Sequence, residues 1–163
     1  MKDKKILINF ALLTCLINFV FGIKPDTNYV VTPDVFGLIY KEFQVRTADN
    51  YEINVWFYPS QYSVSNDSIK YNHSNKIVRK YEVIEYQRPT IIICNGDAGS
   101  MSYLIHYAQF LSTNGYNVVT FDWRGFGKSQ DFTFDSNIVC QEFLWDYNAV
   151  LEAILNIPEV DSS

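Results

Sequence analysis

The chain has 163 residues, 48% of them apolar, with 12 Tyr and 12 Phe; that length fits one domain, and that composition excludes a disordered chain. Thirteen basic against 18 acidic residues leave a net charge of −5. No Lys/Arg cluster occurs beyond the extreme N-terminus, which excludes a phosphate-tracking basic face and with it nucleic-acid binding of that kind.

The N-terminal segment reads as targeting sequence. Lys2, Lys4 and Lys5 precede an apolar run from Ile6 to Phe21, and Val20 and Gly22 supply small residues at −3 and −1 of a cleavage point before Ile23. Positive head, short apolar body and small-residue exit are the parts of a secretory signal peptide, spanning 1–22. An uncleaved membrane anchor is the main alternative, since the run approaches the ~18 residues needed to cross a bilayer. A lipoprotein signal using Cys15 in LLTC is a weaker one, with Thr14 a poor fit before it. Each implies export, and the anchor adds membrane association.

After a polar lead, IKPDTNYVVTPD, period-two alternation begins near Tyr40. Phe43, Val45 and Thr47 share one face, Gln44 and Arg46 the other; the turn Ala48–Asn50 leads into Ile53, Val55 and Phe57 with the same period. This predicts an antiparallel hairpin. Residues 60–76, SQYSVSNDSIKYNHSNK, predict a long exposed polar loop in which Asn66 and Asn72 match glycosylation acceptors, a pattern frequent by chance. A short strand returning to the sheet is expected over Ile77–Tyr86.

Ile91–Ile93 is a continuous apolar run, the pattern of a strand buried on both faces. Met101, Leu104, Ile105, Ala108 and Leu111 follow helical spacing, and Asn114-Gly115 supplies a stop. Tyr116–Phe121 reads as the next buried strand. A helix from Ile138 to Leu155 carries Phe143, Leu144, Tyr147, Val150, Leu151 and Ile154 on one stripe, with Pro158 closing it. Strand, helix, strand and helix in succession make a βαβ unit, so the fold class is α/β with parallel central strands. Cys94 and Cys140 are expected to be buried free thiols, and no Cys/His cluster has metal-ligand spacing. Neither a metal nor a cofactor is implied.

The loop Asn95-Gly96-Asp97-Ala98-Gly99-Ser100 joins the first of those strands to its helix. Its glycines allow backbone N–H groups to approach an anion, whether phosphate or the oxyanion of acyl transfer. It has neither the GxGxxG spacing of dinucleotide sites nor the GxxxxGK[ST] of a P-loop.

Read together with FDWRGFGKS (Phe121–Ser129) and LWDYNAVLEAIL (Leu144–Leu155), this loop resembles the α/β-hydrolase superfamily, in particular the branch with HGNAGN and DYRGYGKS motifs. The opening hairpin is similar too, so the resemblance runs from Leu38 to about Asp161. It implies that Asp97 N–H is half of an oxyanion hole, the other half coming from the residue after a nucleophile. Asn95 stands where that branch has His, which leaves the backbone donor intact but changes the loop's support. By the same resemblance Gly96 and Gly99 shape the first loop, while Asp122, Arg124, Gly125, Gly127 and Ser129 shape and brace the second. Bracing is preferred to an acid/electrophile role for Asp122 and Arg124.

No serine has Gly at both −2 and +2: Ser129 has Gly127 before it but Asp131 after it. The two histidines are His73, in the polar loop, and His106, on the first helix. The resemblance places nucleophile, acid and His beyond the second helix. The expectation is therefore the N-terminal part of an exported serine hydrolase acting on an ester, thioester or amide substrate, inactive by itself. A non-catalytic interaction module and an anion-binding α/β domain are the alternatives.

Overall fold

The computed structural model describes residues 23–64, 70–71, 77–78, 80–134 and 140–161. The targeting segment with Cys15, the acceptors Asn66 and Asn72, and His73 lie outside the described residues. Among the described residues the strands are β1 (Lys24–Pro25), β2 (Lys41–Arg46), β3 (Glu52–Tyr58), β4 (Gln61–Ser63), β5 (Lys70–Tyr71), β6 (Ile77–Val78), β7 (Tyr81–Val83), β8 (Thr90–Cys94), β9 (Ala98–Gly99) and β10 (Asn117–Phe121). A 3₁₀ turn over Met101–Leu104 leads into α1 (Ile105–Ser112), and α2 spans Cys140–Ile154. None of these helices is long and apolar enough to cross a membrane.

The central sheet has the order β2-β3-β10-β8. β2 and β3 form the antiparallel hairpin, with Lys41 opposite Phe57 and Arg46 opposite Glu52. β10 runs antiparallel to β3 and parallel to β8, with Asn117 opposite Thr90 and Phe121 opposite Cys94. The crossover from β8 to β10 through α1 is the βαβ unit expected from the apolar runs.

Two layers cover the sheet. Trp56, Tyr58 and Val118 meet Met101, Ile105 and Ala108 on the α1 side; Ile53, Val55, Phe57, Val119 and Phe121 meet Val150 and Ile154 of α2 on the other. β3 is thus buried on both faces. Its even-numbered residues Asn54, Trp56 and Tyr58 are as inaccessible as the odd ones that the period-two reading selected. Each large apolar side chain so enclosed stabilises the fold by roughly 1.5–3 kcal/mol. β8 differs from the sequence expectation in the opposite sense: as an edge strand it leaves its isoleucines only half-buried.

α1 ends as its Asn-Gly signal implies. Gly115 takes a φ of 94°, and the chain turns so that Tyr116 N–H reaches Leu111 O at 3.3 Å. On α2 the buried stripe includes Asp146, whereas Leu144 is 50% exposed; one position of the expected apolar stripe is therefore replaced by a carboxylate. Cys94 is a free thiol exposed at the end of β8, because the edge leaves it uncovered, and not buried as expected. The side chain of Cys140 lies outside the described residues.

The stretch after β3 is more structured than its polarity suggests. β4 pairs with β7 and β5 with β6, both antiparallel, so the segment over Ile77–Tyr86 returns along this side hairpin and not to the central sheet. Ser60 and Gln61 are buried: Ser60 N–H donates to Asn117 Oδ1 at 2.9 Å, and the Gln61 carboxamide bonds both the N–H and the carbonyl of Ile39.

Candidate functional site

The parallel register that sets Phe121 opposite Cys94 brings two loops side by side at the carboxyl ends of β8 and β10. These are residues 95–100 and 122–129, at the edge of an α/β sheet where ligands characteristically bind. The Trp123 indole N–H donates to Asn95 O at 2.9 Å and ties one loop to the other.

In the first loop, the Asn95 carboxamide turns inward to Ala98 O at 3.3 Å. Gly99 has a φ of 83°, and a Cβ there would lie 2.9 Å from the Tyr103 ring, so this position needs glycine. Gly96 has nothing within 4 Å of such a Cβ and faces open space. Asp97 is exposed. Its carbonyl accepts from Lys24 N–H at 2.8 Å, while no acceptor among the described residues meets its own N–H.

In the second loop Asp122, Arg124 and Ser129 turn their polar groups inward, while the Lys128 ammonium stays exposed beside Glu42. The Asp122 side chain is fully buried and accepts three bonds: Tyr29 Oη at 2.5 Å and Lys128 N–H at 3.2 Å on Oδ2, and Met101 N–H at 2.7 Å on Oδ1. Burial raises its carboxyl above the ordinary range, and the bonds from Tyr29, Met101 and Lys128 pull it back. Ser129 Oγ donates to Asp122 O at 2.6 Å and accepts from Asn54 N–H at 2.9 Å, so the hydroxyl pins the loop to β3. Gly125 N–H donates to Gln130 O, and Gly127 lies directly against the Asp122 carboxylate.

Arg124 is wholly enclosed. Its Nε and Nη2 reach Asp146 Oδ1 at 2.9 and 2.7 Å, its backbone N–H reaches Asp146 Oδ2 at 3.0 Å, and its Nη1 and Nη2 clasp Asp49 at 2.6 and 2.9 Å. The Tyr51 and Phe132 rings lie 4.3 and 5.3 Å from the guanidinium carbon. Hydrogen bonds from Arg124 hold the Asp49 carboxyl below its ordinary range. The guanidinium joins the second loop to the β2–β3 turn and to α2 through four of its five N–H groups.

Sequence reasoning missed the partners. Asp146 carried a signal, a carboxylate at core spacing on a helix, and a buried acid there calls for a cation. Asp49 looked like an ordinary turn residue. Tyr29 and Asp26 sit in a lead with no periodicity at all. His106 is exposed, edge-on to Phe36 at 5.1 Å, away from both loops.

A family model described as the alpha/beta hydrolase fold matches residues 89–160. No curated protein matches the chain. Among solved structures, an esterase of Pyrococcus furiosus is similar at 21% identity and a TM-score of 0.57, over 85% of this chain and 43% of that one. A hypothetical protein from Pseudomonas aeruginosa is similar at 13% identity and a TM-score of 0.57, over 86% and 38%. The chain therefore spans under half the length of the structures it matches. These likenesses establish the architecture: the chain carries the N-terminal part of the α/β-hydrolase fold, whose family model matches residues 89–160.

Proposed function

We propose that this chain is the N-terminal part of an exported α/β-hydrolase that cleaves ester, thioester or amide bonds through a serine. In this reading Asp97 N–H is one donor to the oxyanion of the tetrahedral intermediate, the nucleophile and its His belong to a C-terminal half, and the Asp122 and Arg124 clusters hold the donor loop at its working position. The observation that carries it is the unpartnered Asp97 N–H at the carboxyl end of β8, in a loop anchored on both sides. Such a donor is useful only if held rigidly where charge develops.

The edge of the sheet supports the second half of the proposal. Beyond α2 the chain turns back at Pro158, and Val160 forms a parallel bridge with Arg88, just before β8. Arg88 N–H donates to Glu159 O, and Asp161 N–H to Arg88 O, both at 3.1 Å. The segment is aligned to lay a further strand along β8. The alternative, a non-catalytic module whose partner covers β8, draws on the same half-buried edge.

A fluorophosphonate serine probe tests the proposal. The chain alone is expected to stay unlabelled, and the chain joined to a C-terminal half bearing a strand–GxSxG–helix is expected to react. In the joined protein Asp97→Pro, which removes the N–H, should lower turnover by ~10²–10³, while Asp97→Ala should change it little. Labelling of the chain alone, or turnover indifferent to Asp97→Pro, would overturn the reading. Stable capture of β8 by a partner without any labelling of the joined protein would favour the module.

A further inference from the structure

The polar lead is no passive entry to the domain. Lys24–Pro25 pairs in parallel with Ala98–Gly99. Lys24 N–H donates to Asp97 O at 2.8 Å and Asp26 N–H to Gly99 O at 3.1 Å. Asp26 O in turn accepts Gly127 N–H at 2.9 Å, and its side chain accepts from Tyr103 Oη at 3.2 Å, the same ring that closes over Gly99. One short segment therefore touches both loops of the candidate site.

Its far end is anchored more deeply. Tyr29 stands edge-on to Trp56, with ring centroids 4.8 Å apart, beneath Lys128 Nζ at 5.2 Å. The Tyr29 hydroxyl accepts from Asn54 Nδ2 at 2.9 Å and donates to Asp122 Oδ2. The other Asp122 oxygen receives Met101 N–H, the first amide after the donor loop. A continuous hydrogen-bonded path thus runs from β3 through Tyr29 and Asp122 to the point where the loop enters its helix.

We propose that Lys24–Tyr29 is a positioning strap for the oxyanion loop. Its backbone holds the outer side of the loop at Asp97 and Gly99, and the Tyr29 hydroxyl fixes the inner end by orienting Asp122 onto Met101 N–H. Tyr29 and Lys24 are positioning residues: neither touches the reacting atoms. This role rests on the hydrolase reading for its purpose, but the linkage itself needs no catalysis to be measured.

Two variants of the full chain separate the parts of the strap. Tyr29→Phe keeps the ring on Trp56 and removes only the hydroxyl; Lys24→Pro removes the donor to Asp97 O. Amide exchange over residues 98–101 should rise about tenfold in each, with β10 amides unchanged. The Met101 amide shift, followed against pH, reports the Asp122 carboxyl. The groups acting on that carboxyl are the Tyr29 hydroxyl, Met101 N–H, Lys128, Glu42 and the buried Tyr58. The Tyr29 bond stabilises the ionised form, so its loss in Tyr29→Phe should move the Met101 transition to higher pH, whereas Lys24→Pro should leave it in place. Unchanged loop exchange, an equal rise across all strands, or an unmoved Met101 transition in Tyr29→Phe would overturn the strap. None of these outcomes bears on serine labelling of the joined protein, so the two proposals fail separately.

Discussion

A Cβ on Gly127 would lie 1.9 Å from Asp122 Oδ2. The glycine is there because the buried carboxylate must turn to Tyr29, Met101 and Lys128, and the loop must pass over it with a φ of 49°. Two constraints coincide at that position, steric and conformational, and neither can relax without displacing a charge-bearing group. Gly127→Ala should therefore destabilise by about 3 kcal/mol or more. Gly96→Ala, in the other loop and in open space, should stay within about 0.5 kcal/mol. Chemical unfolding of the two variants checks the contrast.

The Arg124 cluster makes a second prediction. Asp146 is as enclosed as the guanidinium it faces, while Asp49 keeps a side-chain exposure of 24%. Removing the buried charge leaves the enclosed guanidinium balanced only by the partly wet Asp49; removing the wetter one leaves it the enclosed Asp146. Asp146→Asn should cost about 3 kcal/mol and Asp49→Asn about 1 kcal/mol. Because the cost of Asp146→Asn arises from a buried cation left under-compensated, the double variant Arg124→Met with Asp146→Leu should recover much of it. A double-mutant cycle by urea unfolding measures this coupling.

Within that cluster, Asp49 gives a pH dependence with a definite sign. Arg124 depresses the folded-state pKa of Asp49, so its contribution is fully present above the unfolded value of ~3.9 and is lost as pH falls through the folded one. Asp122 works in the opposite sense: burial raises its folded-state pKa, so acidification through that value favours the folded chain. The stability gap between the native chain and Asp49→Asn should hold steady at neutral pH and close below pH ~4. Melting temperatures across that range provide the measurement; a gap that widens on acidification would contradict the assignment.

Cys94 offers a chemical check on the edge of the sheet. Partial burial raises its thiol pKa and slows it, but the residue is exposed in the folded chain. A maleimide should modify it without denaturant, with a rate that increases toward alkaline pH, as peptide mapping can show. Protection of Cys94 until the protein unfolds would mean that the end of β8 is covered in solution.

How far the sequence alone leads depends on where the contacts lie along the chain. The β8–α1–β10 unit was legible because apolar runs and a Gly-terminated amphipathic helix are local patterns. The inaccessible even face of β3 was not, because alternation presumes one wet face, and β3 is covered from both sides by α1 and α2. Asp146 hid in an apolar-looking stripe whose cation lies 22 positions away, and Leu144 took its place in the reading. Tyr29 was least visible of all: its partner is 93 residues distant, and nothing in IKPDTNY announces it. Both loops could be recognised by their glycines, whereas the groups holding them came from segments without pattern.

The bridge between Arg88 and Val160 fixes a length as well as a direction. In a parallel ladder each residue added to one strand advances one position on the other. Cys94, the last residue of β8, lies six positions beyond Arg88, so a strand grafted after Val160 in this register draws level with the end of β8 after six residues and with the first loop residue, Asn95, after seven. A serine placed much earlier would lie below the loop, and one placed much later would overshoot the Asp97 N–H. On the proposed hydrolase reading, the joined protein therefore has a narrow window of linker lengths in which a nucleophile and the Asp97 N–H can meet one carbonyl.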